Sequence, residues 1–344
     1  MTRKLSTAYK NEGLAGWLED IELRRRKNPR LNSIYEFDQK HFVVFKFLND
    51  LAKLEKGIPK YSLNSQTAKF LHKLKINTAV YSDITNKNFQ DRRGLLIYGV
   101  NHNAFIEPII LFSLLKQKNV KLILYRFYYY FSKNLQKFAL PVAAKTHAYD
   151  RGFHIKKYFD VSYKFLKSEN LLSDINIAEN DKSLKDAVKT LETGGIVVIF
   201  PGGSGNELTK WRFGISRIIM SIHKDKRDKI SLLPVYFSGM GSIRMLLRLI
   251  KAYKNITQSS LRVGVYFGRE RTIANVYQIL GNKISEENIL KYLKKDAFTQ
   301  YGLKEKPLKI YLHPKNYPLA VSKSLAFSFK VLIQIIPLKE FFRS

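Results

Sequence analysis

Gly94-Leu-Leu-Ile-Tyr-Gly-Val100, followed by Asn101-His102-Asn-Ala-Phe-Ile-Glu107-Pro108, is the stretch on which the fold turns. The first seven residues form a short apolar run and predict a buried strand. It ends at Asn101-His102, and Pro108 suits the first turn of a helix, where its missing N–H costs nothing. The same grammar recurs outward. Strands are expected at Val120–Arg126, Gly195–Phe200, Ile230–Phe237, Leu261–Gly268 and Leu308–Leu312. Helices are expected at Pro108–Lys116, Tyr130–Phe138, Lys182–Leu191, Gly214–His223 and Glu286–Leu293. Strands alternating with helices predict an α/β domain whose mixed, mostly parallel sheet is flanked by helices.

The first ninety residues differ. Apolar residues recur at helical spacing in Leu14–Arg26, Phe42–Leu54 and Gln66–Leu74, with Gly57-Ile58-Pro59 as punctuation. The expected division is a helical N-terminal section over 1–92, an α/β domain over 93–315 and a C-terminal amphipathic helix over 316–344. No internal repeat or low-complexity linker is evident.

Sixty Lys and Arg against 28 Asp and Glu give a formal charge of +32. A field of that sign attracts nucleic acid, an anionic membrane surface or acidic proteins. A biased genome also raises lysine, and that reading stays open. Cysteine is absent, which removes disulfides, thiolate chemistry and Cys-based metal sites. The polar start at Met1-Thr2-Arg3-Lys4 shows no signal peptide, and no apolar run reaches the ~18–20 residues of a spanning helix. A soluble or membrane-peripheral protein in the cytoplasm is expected.

His102 and Glu107 are separated by four residues. At the carboxyl end of a strand and the start of a helix, they suit a base and the carboxylate that orients it. A surface histidine beside an acidic helix cap also fits that spacing. A second loop, Phe200-Pro201-Gly202-Gly203-Ser204-Gly205, lies about a hundred residues on. Its glycines allow close backbone approach, and its N–H groups suit an anion. Lys210 and Arg212, around Trp211 and before Gly214, add two cations near a helix start. His147 and His154 lack metal-ligand spacing with a carboxylate, so no metal is expected, and no Walker loop or dinucleotide fingerprint is present.

These elements together resemble the glycerolipid acyltransferases, the family of glycerol-3-phosphate, lysophosphatidate and lysophospholipid acyltransferases. Asn101-His102 with Glu107-Pro108 is similar to the family's first motif, His and Asp four residues apart. Tyr149-Asp150-Arg151 resembles the second, Phe200–Ser204 the third, and Leu233-Pro234-Val235 the fourth. The likeness spans roughly Gly94 to Gly268. Glu107 stands where the family has Asp, and Gly202 where it has Glu.

The resemblance implies acyl transfer from a thioester, acyl-CoA or acyl-carrier protein, to a hydroxyl of glycerol-3-phosphate or a lysophospholipid. It implies His102 as general base, Glu107 as its partner and Arg151 as phosphate anchor. Asn101, Pro201, Gly202, Gly203, Ser204, Lys210 and Arg212 would complete the substrate site. No bound cofactor is implied. Expected partners are an anionic membrane surface at the inner face and acyl-carrier protein, with no nucleic acid. A non-catalytic membrane-surface protein on the same fold is the alternative, and nucleic-acid binding rests only on the charge.

Ser242–Lys254 is a candidate docking helix, with Ile243, Leu246, Leu247 and Ile250 on one face and Arg244, Arg248 and Lys251 on another. A helix that covers the core with a solvated basic face reads equally well. Leu325–Phe342 is a second candidate, and the aromatic run Arg126–Phe131 suits an acyl groove or a core.

Overall fold

The computed structural model describes residues 5–41, 43–82, 94–102, 106–116, 119–125, 129, 133–142, 177–202, 211–256 and 260–304. The predicted strand Leu308–Leu312, the C-terminal helix and most of the Arg126–Phe131 run lie outside these residues.

Among the described residues the sheet has eight strands: β1 (Ile76–Tyr81), β2 (Leu95–Gly99), β3 (Val120–Tyr125), β4 (Ala139–Val142), β5 (Ile196–Ile199), β6 (Ser231–Ser238), β7 (Leu261–Phe267) and β8 (Arg271–Thr272). Their order is β1-β7-β6-β2-β5-β3-β4, with β8 beside β6. Strands β6, β2, β5, β3 and β4 are mutually parallel, while β7 and β8 run antiparallel to β6 and β1 runs parallel to β7. The architecture is α/β, a mixed, mostly parallel sheet with helices on both faces and a helical segment at the N-terminus.

The unbroken apolar runs follow from this layering, because a strand covered on both faces needs no polar alternation. In β2, Leu95 and Ile97 join one buried cluster while Leu96 and Tyr98 join the other. In β5, Ile196 and Val198 divide from Val197 and Ile199 in the same way.

The N-terminal helices α1 (Leu5–Arg25), α2 (Pro29–His41), α3 (Val44–Gly57) and α4 (Leu63–Lys73) supply most of the first cluster's cover. They are joined there by α5 (Glu107–Leu114), with the short α6 (Lys133–Gln136) near α3, and by α9 (Ser242–Tyr253). The second face carries α7 (Ile177–Glu192), α8 (Gly214–Ser221), α10 (Ile273–Leu280) and α11 (Glu286–Gln300). Helix α1 breaks at Gly13, where φ is 68°, one residue before the helix expected at Leu14. Side chains start several helices: Ser62 accepts the Ser65 N–H at 3.2 Å, Ser285 accepts that of Asn288 at 3.1 Å, and Thr272 and Asn275 form a reciprocal box.

Besides the two-residue β8, four elements depart from the sequence expectation. Strand β1 lies within the section expected to be helical and pairs with β7 at the sheet's edge. As an edge strand, it buries only Ile76 and so lacks an apolar signature. Strand β4 contains Pro141, which an edge strand tolerates. Of the helix expected over Tyr130–Phe138, the described residues show α6 with a turn after it, and α10 replaces what read as loop.

Helix α9 forms as expected, but its faces differ from the reading. Leu247 points to solvent at 51% exposure, while Arg248 is buried. The Arg248 guanidinium donates to the Leu74 carbonyl at 3.0 Å and to that of Lys75 at 2.9 Å, just past the last turn of α4. Burial pulls the Arg248 pKa down. Its hydrogen bonds are charge-assisted, so Arg248→Met is expected to lower the unfolding free energy by about 2–3 kcal/mol. The exposed Arg244→Gln should stay within about 0.5 kcal/mol. Urea midpoints of the two variants check the contrast.

Candidate active site

The parallel strands β2 and β5 end side by side, and α/β sheets bind ligands at such carboxyl ends. Register carries β2 on to Val100, whose N–H donates to the Val235 carbonyl at 2.8 Å. Asn101 then acts as a surrogate peptide. Its amide nitrogen donates to the Phe237 carbonyl at 2.7 Å, and its amide oxygen accepts the Phe237 N–H at 2.9 Å. This buried clamp ties the end of β2 to β6 and fixes the backbone from which His102 projects. The sequence reading placed Asn101 against substrate; in the structure its side-chain amide is engaged by main chain.

His102 Nδ1 lies 3.1 Å from Glu107 Oε2. Glu107 is the first residue of α5, where the helix dipole favours a carboxylate, and its side chain is 0% exposed. The His102 side chain keeps 15% exposure. A buried carboxylate facing Nδ1 accepts a hydrogen bond from the Nδ1–H tautomer, which leaves the Nε2 lone pair as the ring's basic position. From the first residue of α5, the glutamate side chain carries its carboxylate to the imidazole.

Phe200, the residue after β5, stacks on His102 with ring centroids 4.6 Å apart and planes 28° from parallel. Gly99 makes room for this: a Cβ there would lie well inside contact distance of Phe200 Cδ1. Phe200 also tilts against Phe237 at 6.4 Å, so three strand ends meet around the imidazole. Beyond Phe200, the chain turns at buried Pro201 and half-buried Gly202. The Arg212 N–H donates to the Pro201 carbonyl at 3.0 Å and closes the neck of the intervening loop. Trp211 anchors that neck in the core, edge-on to Tyr98 at 5.9 Å and to Phe298 at 6.3 Å. Burial raises the Tyr98 hydroxyl pKa far above its usual value, so this support stays neutral.

The structure therefore brings His102, Glu107, Asn101 and Pro201 to one edge of the sheet, with Gly202 next in chain and Arg212 at the loop neck. Arg151, Gly203, Ser204 and Lys210 lie outside the described residues. Among the described residues, no three His, Asp or Glu converge as metal ligands. Phe200, Phe237 and Gly99 were not singled out as contacts of His102. Only the register of β2 against β5 and β6 brings them together, and no local motif carries it.

Gly99→Ala tests the packing. The new methyl group must displace Phe200, costing about 1–3 kcal/mol of stability. Misplacing His102 should lower turnover by about 10²-fold. A larger loss in kcat than in affinity for substrate, measured by steady-state kinetics, is the expected signature.

No family model matches the sequence, and no curated protein is similar to it at a significant level. Among solved structures, the 1-acyl-sn-glycerophosphate (LPA) acyltransferase PlsC from Thermotoga maritima is similar over 82% of this chain and 100% of that chain. The identity is 12% and the TM-score 0.37. A likeness that loose carries no argument about the reaction, which has to be built from the site.

Proposed function

We propose that this protein is an O-acyltransferase. In this reading it moves a fatty acyl group from a thioester, acyl-CoA or acyl-carrier protein, to a hydroxyl of glycerol-3-phosphate or a lysophospholipid. One observation carries the reading. Two motifs about a hundred residues apart meet at one sheet edge, His102 held at 3.1 Å by a buried Glu107 and stacked on the residue that opens the Pro201-Gly202 loop.

His102 Nε2 accepts the proton of the acceptor hydroxyl as its oxygen attacks the thioester carbonyl carbon. A carbon–oxygen bond forms, and the carbonyl electrons move to oxygen. As they return, the carbon–sulfur bond breaks. The imidazolium gives its proton to the departing thiolate, so the products are an ester and a free thiol. Glu107, opposite Nδ1, stabilises the imidazolium. Gly202, Gly203 and Ser204 are assigned to the developing oxyanion or the acceptor phosphate. Arg151, Lys210 and Arg212 are assigned to the phosphate, whose negative charge suits guanidinium and ammonium donors.

Such an acceptor is a membrane lipid or its precursor, so the protein would work at the inner membrane face without crossing it. Among the described residues no helix is long and apolar enough to cross a membrane.

The test crosses acyl-CoA and acyl-carrier-protein donors against glycerol-3-phosphate and a panel of lysophospholipids. Ester formation with at least one pair is expected. A folded protein that binds anionic vesicles yet turns over no pair would instead support the non-catalytic alternative on this fold.

A further inference from the structure

The acidic residues are unevenly spread. Residues 56–82 contain no Asp or Glu, and neither do residues 229–269. The fold puts these two stretches side by side. β1 pairs with β7, and Arg248 of α9 caps the end of α4. Their acids are displaced to other surfaces; α7 alone carries Glu179, Asp181, Asp186 and Glu192. The carboxylate beneath the junction, Asp50 of α3, is buried, accepts the Tyr253 hydroxyl at 2.6 Å and meets Lys73 Nζ at 2.5 Å.

Because Arg248 turns inward, the outer face of α9 presents Arg244, Leu247, Lys251 and Lys254, all exposed. Ile256 follows at 64% exposure. Basic groups interleaved with exposed aliphatic side chains suit an interface that offers both phosphate charge and hydrocarbon. A nucleic-acid backbone would satisfy the cations and leave Leu247 and Ile256 facing water. The helix also begins five residues after Phe237, whose backbone Asn101 clamps, so it starts at the sheet edge that holds His102.

We infer that the outer face of α9, together with the end of α4, is the surface by which this protein docks on an anionic bilayer. The inference concerns binding alone and stands apart from the proposed acyl transfer, since it is tested with no donor or acceptor present.

The experiment measures partitioning of the full chain onto vesicles of phosphatidylcholine alone or mixed with phosphatidylglycerol. Binding is expected only with the anionic lipid and should weaken with salt. The triple variant Arg244→Gln/Lys251→Gln/Lys254→Gln should partition more weakly by on the order of 100-fold. Lys182→Gln/Lys185→Gln/Lys189→Gln, on the exposed side of α7, removes the same charge and should retain most binding. Equal losses in the two triples would overturn the inference, because net charge alone would then explain binding.

A second measurement does not depend on charge removal. Leu247→Trp should show a blue-shifted emission on anionic vesicles, while Ile279→Trp on α10 should not. An unshifted Leu247→Trp would contradict the docking surface. So would a first triple that loses oligonucleotide affinity while its vesicle binding is unchanged.

Discussion

His102→Ala is expected to lower acyl transfer by about 10²–10⁴-fold, the usual contribution of a positioned general base. The loss should fall on kcat, because the base acts as charge develops and contributes little to holding the acceptor. The substitution also uncovers Phe200 and removes a neighbour of the buried Glu107, so some stability is lost as well. His102→Gln separates the two effects. Its amide nitrogen can donate to Glu107 as Nδ1–H does, but it offers no base. The Gln variant should melt close to the wild type and show the same kinetic loss. Parallel melting curves and steady-state rates for both variants check this, and a well-folded Gln variant with wild-type turnover would remove His102 from the chemistry.

Glu107→Gln has the second largest expected effect. The side chain keeps its length, and its amide oxygen can still accept from Nδ1–H. What is lost is the negative charge opposite the imidazolium, on a fully buried side chain where that charge is poorly screened. A fall in kcat of about 10²–10⁴-fold is expected, with KM little changed. Glu107→Asp restores the residue type of the resembled motif but withdraws the carboxylate by one methylene from a contact that is 3.1 Å in this backbone. Its rate should lie between those of Glu107→Gln and the wild type, down by about 10-fold. The predicted order, wild type above Asp above Gln, is read from kcat at saturating donor and acceptor. Full activity in Glu107→Gln would show that the carboxylate only caps α5.

The parts of the fold carried by doubly buried strands were legible in the sequence, because β2 and β5 bury both faces and so form unbroken apolar runs. The edge strands were not. Only one residue of β1 is buried, and the proline in β4 reads as an interruption. Burial also misled at α9. Periodicity placed Arg248 on a solvated face, but the Leu74 and Lys75 carbonyls just past α4 hold its guanidinium inward. The pairing of His102 with Glu107 was readable because both partners sit in one short segment. The Asn101 clamp on Phe237 joins residues 136 apart, and the Phe200 stack requires the room left by Gly99 on a neighbouring strand. Such contacts depend on register, which local sequence does not record.

The central claim is that His102 activates a hydroxyl against a thioester. Its most direct measurement is ester and free thiol quantified together in one reaction containing thioester donor and hydroxyl acceptor. Equal amounts of the two are expected from the wild type, and both should form at least about 10²-fold more slowly with His102→Gln. Thiol release without ester, or ester formation undiminished in His102→Gln, would contradict it.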